Sequence, residues 1–234
     1  MIKLLCFPHA GASSAMYKMW QMSSLRSLSV CPIELPGRGL RYSQTPLGNI
    51  PELANFVVSE HWSDFLSPFA LFGHSFGALL AFAVAQLLAI RNIYPVHLFV
   101  SASRGPHKRP QNMLHSMRRT ELLECLVRLN GIPAEMLCDE DLVDFVLPRL
   151  QMDLQAAETY CVKAEPLAVP ITVFGGTEDS FVGESELEAW GACTSEEFSV
   201  RMFSGHHFFL QTRSEDLLAS IGTILSMPRI QKLV

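Results

Sequence analysis

The sequence has no apolar run long enough to cross a membrane. Its longest, 76–90, is broken by Gln86 and falls short of the roughly 18 residues that suggest a span. No secretory leader is expected either. Lys3 precedes Leu4-Leu5-Cys6-Phe7, but Pro8 ends that patch before the about 7 to 15 apolar residues of such a segment accumulate. Cys6, Cys31, Cys125, Cys138, Cys161 and Cys193 are scattered, with no C-x-x-C pair and no histidine at ligand spacing beside them. That pattern points to neither a disulfide framework nor a zinc site and fits free thiols in a reducing compartment. Positive charge is also scarce, with 18 Lys and Arg against 23 Asp and Glu and a net charge of -5, so nothing draws the chain to phosphate backbones. There is no internal repeat and no low-complexity segment. These absences predict a cytoplasmic monomer that uses no metal or other cofactor and has no nucleic-acid or membrane partner.

What is present is apolar sequence in short pieces. At 234 residues and 49% hydrophobic composition, the chain is long enough to bury a full core in one domain, 1–234. Apolar runs bounded by Gly, Pro or Ser predict strands at 2–7, 28–33, 69–72, 96–101, 171–175 and 198–203. Helical spacing recurs between them, at 16–25, 53–65, 76–89 and 215–225. Strands that alternate with helices and carry polar residues only at their ends predict an α/β fold: a mostly parallel central sheet with helices on both faces. One interval breaks the alternation. From 101 to 171 there is no convincing strand, although a crossover needs only about a dozen residues. Helix-like pieces at 121–129, 140–150 and 153–161, punctuated by Gly131, Pro133 and Pro148, predict a helical lid insertion over about 107–165, above the C-terminal edge of the sheet.

Gly73-His74-Ser75-Phe76-Gly77 fits G-x-S-x-G and lies directly after a predicted strand and before a long predicted helix, the context in which a tight turn exposes a nucleophilic serine. A serine hydroxyl needs a base, and the base an acid that fixes its tautomer. In the order Ser, acid, His, Glu178-Asp179 follows one later strand and His206-His207 follows the last. Sequence alone separates each adjacent pair weakly. The early loop Phe7-Pro8-His9-Ala10-Gly11-Ala12 lets a backbone N–H approach the serine; the N–H groups of Ala10 and Phe76 are the candidate oxyanion donors. A metal at His206-His207 is disfavoured, since adjacent residues seldom point at one ion. His9 is read as ordering its loop, and His61, His97, His107 and His115 as surface or packing residues.

Taken in order, Phe7-Pro8-His9-Ala10-Gly11, Leu35-Pro36-Gly37-Arg38-Gly39, Gly73-His74-Ser75-Phe76-Gly77-Ala78, Phe174-Gly175-Gly176 with Asp179, and Gly205-His206-His207-Phe208-Phe209-Leu210 resemble the type II thioesterases of polyketide and nonribosomal peptide assembly lines, members of the α/β-hydrolase superfamily. The likeness also takes in Leu147-Pro148, Asp153 and Glu158-Thr159-Tyr160. It implies the α/β-hydrolase fold, Ser75 as nucleophile, Asp179 as acid, His207 as base and the backbone of Ala10 and Phe76 as oxyanion donors. The implied activity is hydrolysis of acyl groups from the phosphopantetheine arm of acyl or peptidyl carrier proteins, which would be transient partners. Ala12 and His206 depart from the family's usual residues. A small-molecule carboxylesterase or lipase would use the same triad, and a non-catalytic binding protein of this fold would normally lack part of it. Arg38 and Arg41 are read as holding a surface loop or as binding residues. Arg104, His107, Lys108, Arg109, Arg118 and Arg119 form the one basic cluster, placed to attract an acidic carrier.

Overall fold

The computed structural model describes residues 1–23, 28–129, 131–132 and 134–227. Leu25 of the first predicted helix and Pro133 of the insertion lie outside the described residues. Six strands, β1 (Ile2–Phe7), β2 (Leu28–Pro32), β3 (Phe69–His74), β4 (Leu98–Ser101), β5 (Ile171–Gly176) and β6 (Phe198–Phe203), form one sheet in the order β2-β1-β3-β4-β5-β6. Every pair is parallel. The central strands read as unbroken apolar runs because both of their faces are covered, and every residue of β3, β4 and β5 is buried.

The helices are α1 (Lys18–Met22), α2 (Ile50–Glu60), α3 (Phe76–Ala89), α4 (Arg119–Arg128), α5 (Glu140–Thr159), α6 (Glu184–Glu188), α7 (Phe209–Thr212) and α8 (Ser214–Leu225). α2 begins where the Asn49 side chain accepts from the Glu52 N–H at 2.9 Å, with Pro51 in its first turn, where no intrahelical donor is lost. Leu53 and Val57 of α2 and Leu80 and Val84 of α3 share one core with Leu5, Leu71 and Val173 of the sheet. Trp20 of α1 and Leu217 and Ile221 of α8 share the other with Leu4, Phe72 and Phe99. The chain therefore leaves β1 toward one face and β3 toward the other. Adjacent parallel strands whose connections part in this way open a crevice at their C-terminal ends, and this crevice holds the site.

Between β4 and β5 the chain builds α4 and α5, with single helical turns at Leu114–Ser116 and Ala134–Cys138. Leu122, Leu126, Val143, Leu147 and Leu150 form a separate cluster that packs on Ala10, Phe181 and Phe208, from the loops beyond β1, β5 and β6. The sequence predicts two helices here, at 140–150 and 153–161, but α5 is one. Pro148 lies inside it and removes one backbone hydrogen bond. A buried stripe of Val143, Leu147, Leu150, Asp153 and Ala156 runs unbroken past that point, and its packing outweighs the lost bond. No described helix is long and apolar enough to cross a membrane.

Candidate active site

Ser75 stands between β3 and α3 with φ 54° and ψ −117°, a conformation that costs a non-glycine residue about 1–3 kcal/mol and is held by its surroundings. Its N–H donates to the Ser101 carbonyl at 2.7 Å. The flanking glycines are there for space. A Cβ on Gly73 would lie 2.1 Å from the Gly77 carbonyl oxygen, and one on Gly77 would lie 2.4 Å from that of Phe7.

His207, in the loop after β6, brings Nε2 to 3.2 Å from Ser75 Oγ and Nδ1 to 2.8 Å from Asp179 Oδ2. Asp179 is itself fixed, because its Oδ1 accepts the N–H groups of Phe181 at 2.8 Å and Val182 at 3.1 Å. A carboxylate held in this way accepts a hydrogen bond from Nδ1–H, which keeps the proton on Nδ1 and leaves the lone pair of Nε2 facing the serine hydroxyl. The side chains of His207 and Asp179 are almost wholly buried. Their sequence neighbours are elsewhere: His206 is exposed, with Nδ1 3.1 Å from the Glu178 carbonyl and Nε2 3.5 Å from its carboxylate. Of the two adjacent pairs, Asp179 and His207 form the series to Ser75, while Glu178 and His206 contact each other.

Phe76 opens α3, so its N–H has no intrahelical acceptor. Ala10 follows β1, and its carbonyl accepts from His9 Nδ1 at 3.0 Å. Burial lowers the His9 pKa to about 4, so the ring is neutral at pH 7 and Nδ1 carries the proton for that bond. His74 is fully buried, with Nδ1 2.9 Å from Ser101 Oγ. Burial, followed by the nearby His207 and His9, pushes its pKa well below 6.5, which keeps a second positive charge away from His207.

A cavity of about 100 Å³ opens on Ser75 and His207, with Leu79, Leu154, Phe181 and Glu158 among its walls. Glu158 caps the turn at Leu114–Ser116, accepting from the N–H groups of Leu114 and His115 at 2.9 and 3.2 Å and pairing with the His115 ring. Arg38, which sequence left between two readings, is buried and forks onto Asp153 of α5 at 2.6 and 2.8 Å. Arg41 pairs with Glu60 at 2.6 Å. Asp153 entered the sequence reading only through the family likeness, without a role; a partner 115 positions away in the chain leaves no local signal. Arg104 does not belong to the basic surface. It is 8% exposed and donates to the carbonyls of Ala157 at 2.7 Å and Tyr160 at 3.1 Å. Lys108, Arg109, Arg118 and Arg119 are exposed, with Arg118 near Glu121 and Arg119 paired to Asp144.

The family model described as Thioesterase domain matches residues 2–225. The gramicidin S biosynthesis protein GrsT of Aneurinibacillus migulanus is 36% identical over 220 residues, covering 93% of this chain and 86% of its own. Among solved structures, the RedJ thioesterase from the prodiginine biosynthetic pathway of Streptomyces coelicolor is 37% identical with a TM-score of 0.89, over 95% of this chain and 89% of that one. YbtT, a type II thioesterase from the yersiniabactin NRPS/PKS biosynthetic pathway, is 26% identical with a TM-score of 0.87, over 94% and 91%.

Proposed function

Because the chain belongs to the thioesterase-domain family and is a hydrolase of thioesters, we propose that it removes acyl groups from the phosphopantetheine arms of acyl or peptidyl carrier proteins through a covalent acyl-Ser75 intermediate. The observation that carries this reading is the hydrogen-bonded series Ser75 Oγ, His207 Nε2, His207 Nδ1 and Asp179 Oδ2, set at a strained elbow beside an apolar cavity. Relatives from nonribosomal peptide and polyketide pathways supply the class of substrate.

In this mechanism Ser75 Oγ attacks the thioester carbonyl while its proton passes to His207 Nε2, and Asp179 stabilises the imidazolium that forms. The N–H groups of Ala10 and Phe76 receive the negative charge that develops on the carbonyl oxygen. Collapse expels the pantetheine sulfur. A thiol has a pKa near 8.5, so its thiolate leaves with little help, and the proton on His207 neutralises it. Water then gives a proton to Nε2 as it attacks the acyl-serine; that proton returns to Ser75 Oγ, and the free acid departs. The insertion, about 107–165, acts as a lid whose α5 closes the cavity around the acyl chain, and residues 1–234 work as one domain. Lys108, Arg109, Arg118 and Arg119 suit an acidic carrier at the rim. The protein acts as a cytoplasmic monomer whose carrier contacts are transient.

A panel of acyl-loaded carrier proteins, acyl-pantetheine thioesters and free oxygen esters tests the proposal through kcat/KM. Carrier-bound thioesters are expected to lead by at least about tenfold, which corresponds to some 1.4 kcal/mol of added transition-state binding. Preference for oxygen esters would overturn it in favour of a carboxylesterase.

A further inference from the structure

A buried, bidentate charged pair, Arg38 and Asp153, lies beside the loop that carries Ala10, and the triad does not use it. Asp153 is 1% exposed and Arg38 4%. Arg38 gives Nη1 to Asp153 Oδ2 at 2.6 Å and Nη2 to Oδ1 at 2.8 Å. The same Nη1 lies 3.3 Å from the carbonyl oxygen of Ala12, and Asp153 Oδ2 also accepts the Gly11 N–H at 2.7 Å. Carboxylate and guanidinium together grip the backbone on both sides of Gly11. That residue has φ +75°, and the place where its Cβ would stand is 3.1 Å from the Leu150 side chain, so the loop is seated against α5. On the other side the His9 ring holds the Ala10 carbonyl. The peptide between Ala10 and Gly11 is therefore fixed at its oxygen by β1-side residues and at its N–H by α5.

From this we infer that Asp153, clamped by Arg38, is a positioning residue that sets the backbone of the Ala10 oxyanion donor, so the donor is correctly placed only when α5 is seated on the loop. Stability alone is a poor account of the pair. Taking two charges out of water costs most of what their attraction returns, and apolar replacements of similar size are often as stable. Two parallel bonds from separate nitrogens to the two oxygens of Asp153, with the Ala12 carbonyl beside one of them, are what a planar fork-shaped donor supplies and a lysine does not. The inference rests on the acyl-serine reading above, since an oxyanion donor has a role only if such an intermediate forms.

The test replaces the pair by apolar residues, Arg38→Met with Asp153→Leu, which leaves no buried charge unpaired. The readouts are kcat and KM on an acyl-pantetheine thioester and Ki for an acyl trifluoromethyl ketone, whose adduct places an oxyanion in the donor site. Active sites are counted by a fluorophosphonate taken to completion. A lost oxyanion donor typically costs about 10² to 10³ in kcat. We expect kcat per labelled site to fall about a hundredfold, Ki to rise by a similar factor, and KM to change less than about threefold. Asp153→Asn, whose amide oxygen still accepts from Gly11, should lose less, about tenfold in both kcat and Ki, and it decides the question alone if the double variant fails to fold. Fewer labelled sites with unchanged kcat per site and unchanged Ki would overturn the inference and leave the pair a structural one. Failure of the underlying reading looks different: the wild-type protein would then not label on Ser75 at all.

Discussion

The sheet and the helical insertion bury their side chains in different ways. Every residue of β3, β4 and β5 is buried. α5 buries one stripe and leaves Leu142 41% and Phe145 70% exposed. The chemistry divides along the same line. Ser75, Asp179 and His207 sit just beyond the C-terminal ends of β3, β5 and β6, whereas the Leu154 wall and the Asp153 clamp come from α5. In the proposed mechanism the reacting groups stand at the ends of strands that cannot shift without breaking a core. The wall that meets the acyl chain in that mechanism stands on α5, whose Val143, Leu147 and Leu150 belong to a small separate cluster while Ala156 joins the main core; the more thinly packed part opens at lower free energy.

The largest expected effect lies on the sheet side. Ser75→Ala and His207→Ala should each lower kcat by roughly 10⁶, and Asp179→Asn by about 10⁴, because the three act as a unit. His206→Ala should keep most activity, since His206 faces Glu178. A loss at His206 as large as that at Ser75 would exchange the two imidazoles and break the division at its centre.

Truncation in the two regions sharpens the contrast. Leu71→Ala, in the core shared by β3 and α3, should cost about 4 kcal/mol, while Leu126→Ala, in the insertion's own cluster, should cost about 2 because fewer neighbours surround the space left. Urea unfolding measures both. Amides of α4 and α5 should exchange faster than those of β3 and β5. Core-like protection across the insertion would leave a fixed acyl chamber and remove the moving lid.

Acid should attack the catalytic end first. His9 has its pKa lowered to about 4 by burial, and His74 is also pushed well below 6.5 by burial. Above about pH 6.5 both states of each ring are neutral. As pH falls from 6.5 toward 4, the unfolded chain takes up protons that the folded one refuses, so stability is lost across that window. For His9 the loss approaches about 3 kcal/mol at the lower end. His9→Gln should flatten the stability profile between pH 6.5 and 4 by about one proton, and an unchanged slope would mean that the ring is protonated in place.

The smallest effect belongs to the rim. Arg118→Glu with Arg119→Glu should raise KM for an acyl-carrier protein several-fold and weaken its salt dependence, with hydrolysis of a small thioester unchanged, since exposed charges contribute little apart from steering. Equal effects on both substrates would remove this surface from docking.

Much of the sheet side is legible in sequence because burial on two faces leaves an unbroken apolar run, and because Ser75 and Asp179 follow such runs in β3 and β5, whereas β6, before His207, has no buried residue. The strands predicted at 2–7 and 198–203 have the observed bounds, and α3 likewise. The insertion is less legible for physical reasons. Pro148 reads as a break, but packing on either side carries α5 through it. Arg104 reads as surface charge until the carbonyls of Ala157 and Tyr160 are found around it. Arg38 and Asp153 meet only through the fold, so neither residue announces the other.

The central claim is that turnover passes through Ser75. A fluorophosphonate added in small excess, followed by peptide mass mapping and assay of the remaining thioesterase activity, tests it most directly. One probe per chain on the peptide holding Ser75, with activity lost in proportion and no labelling in Ser75→Ala, is the predicted result. Full activity with Ser75 labelled, or loss of activity with the probe on another residue, would contradict it.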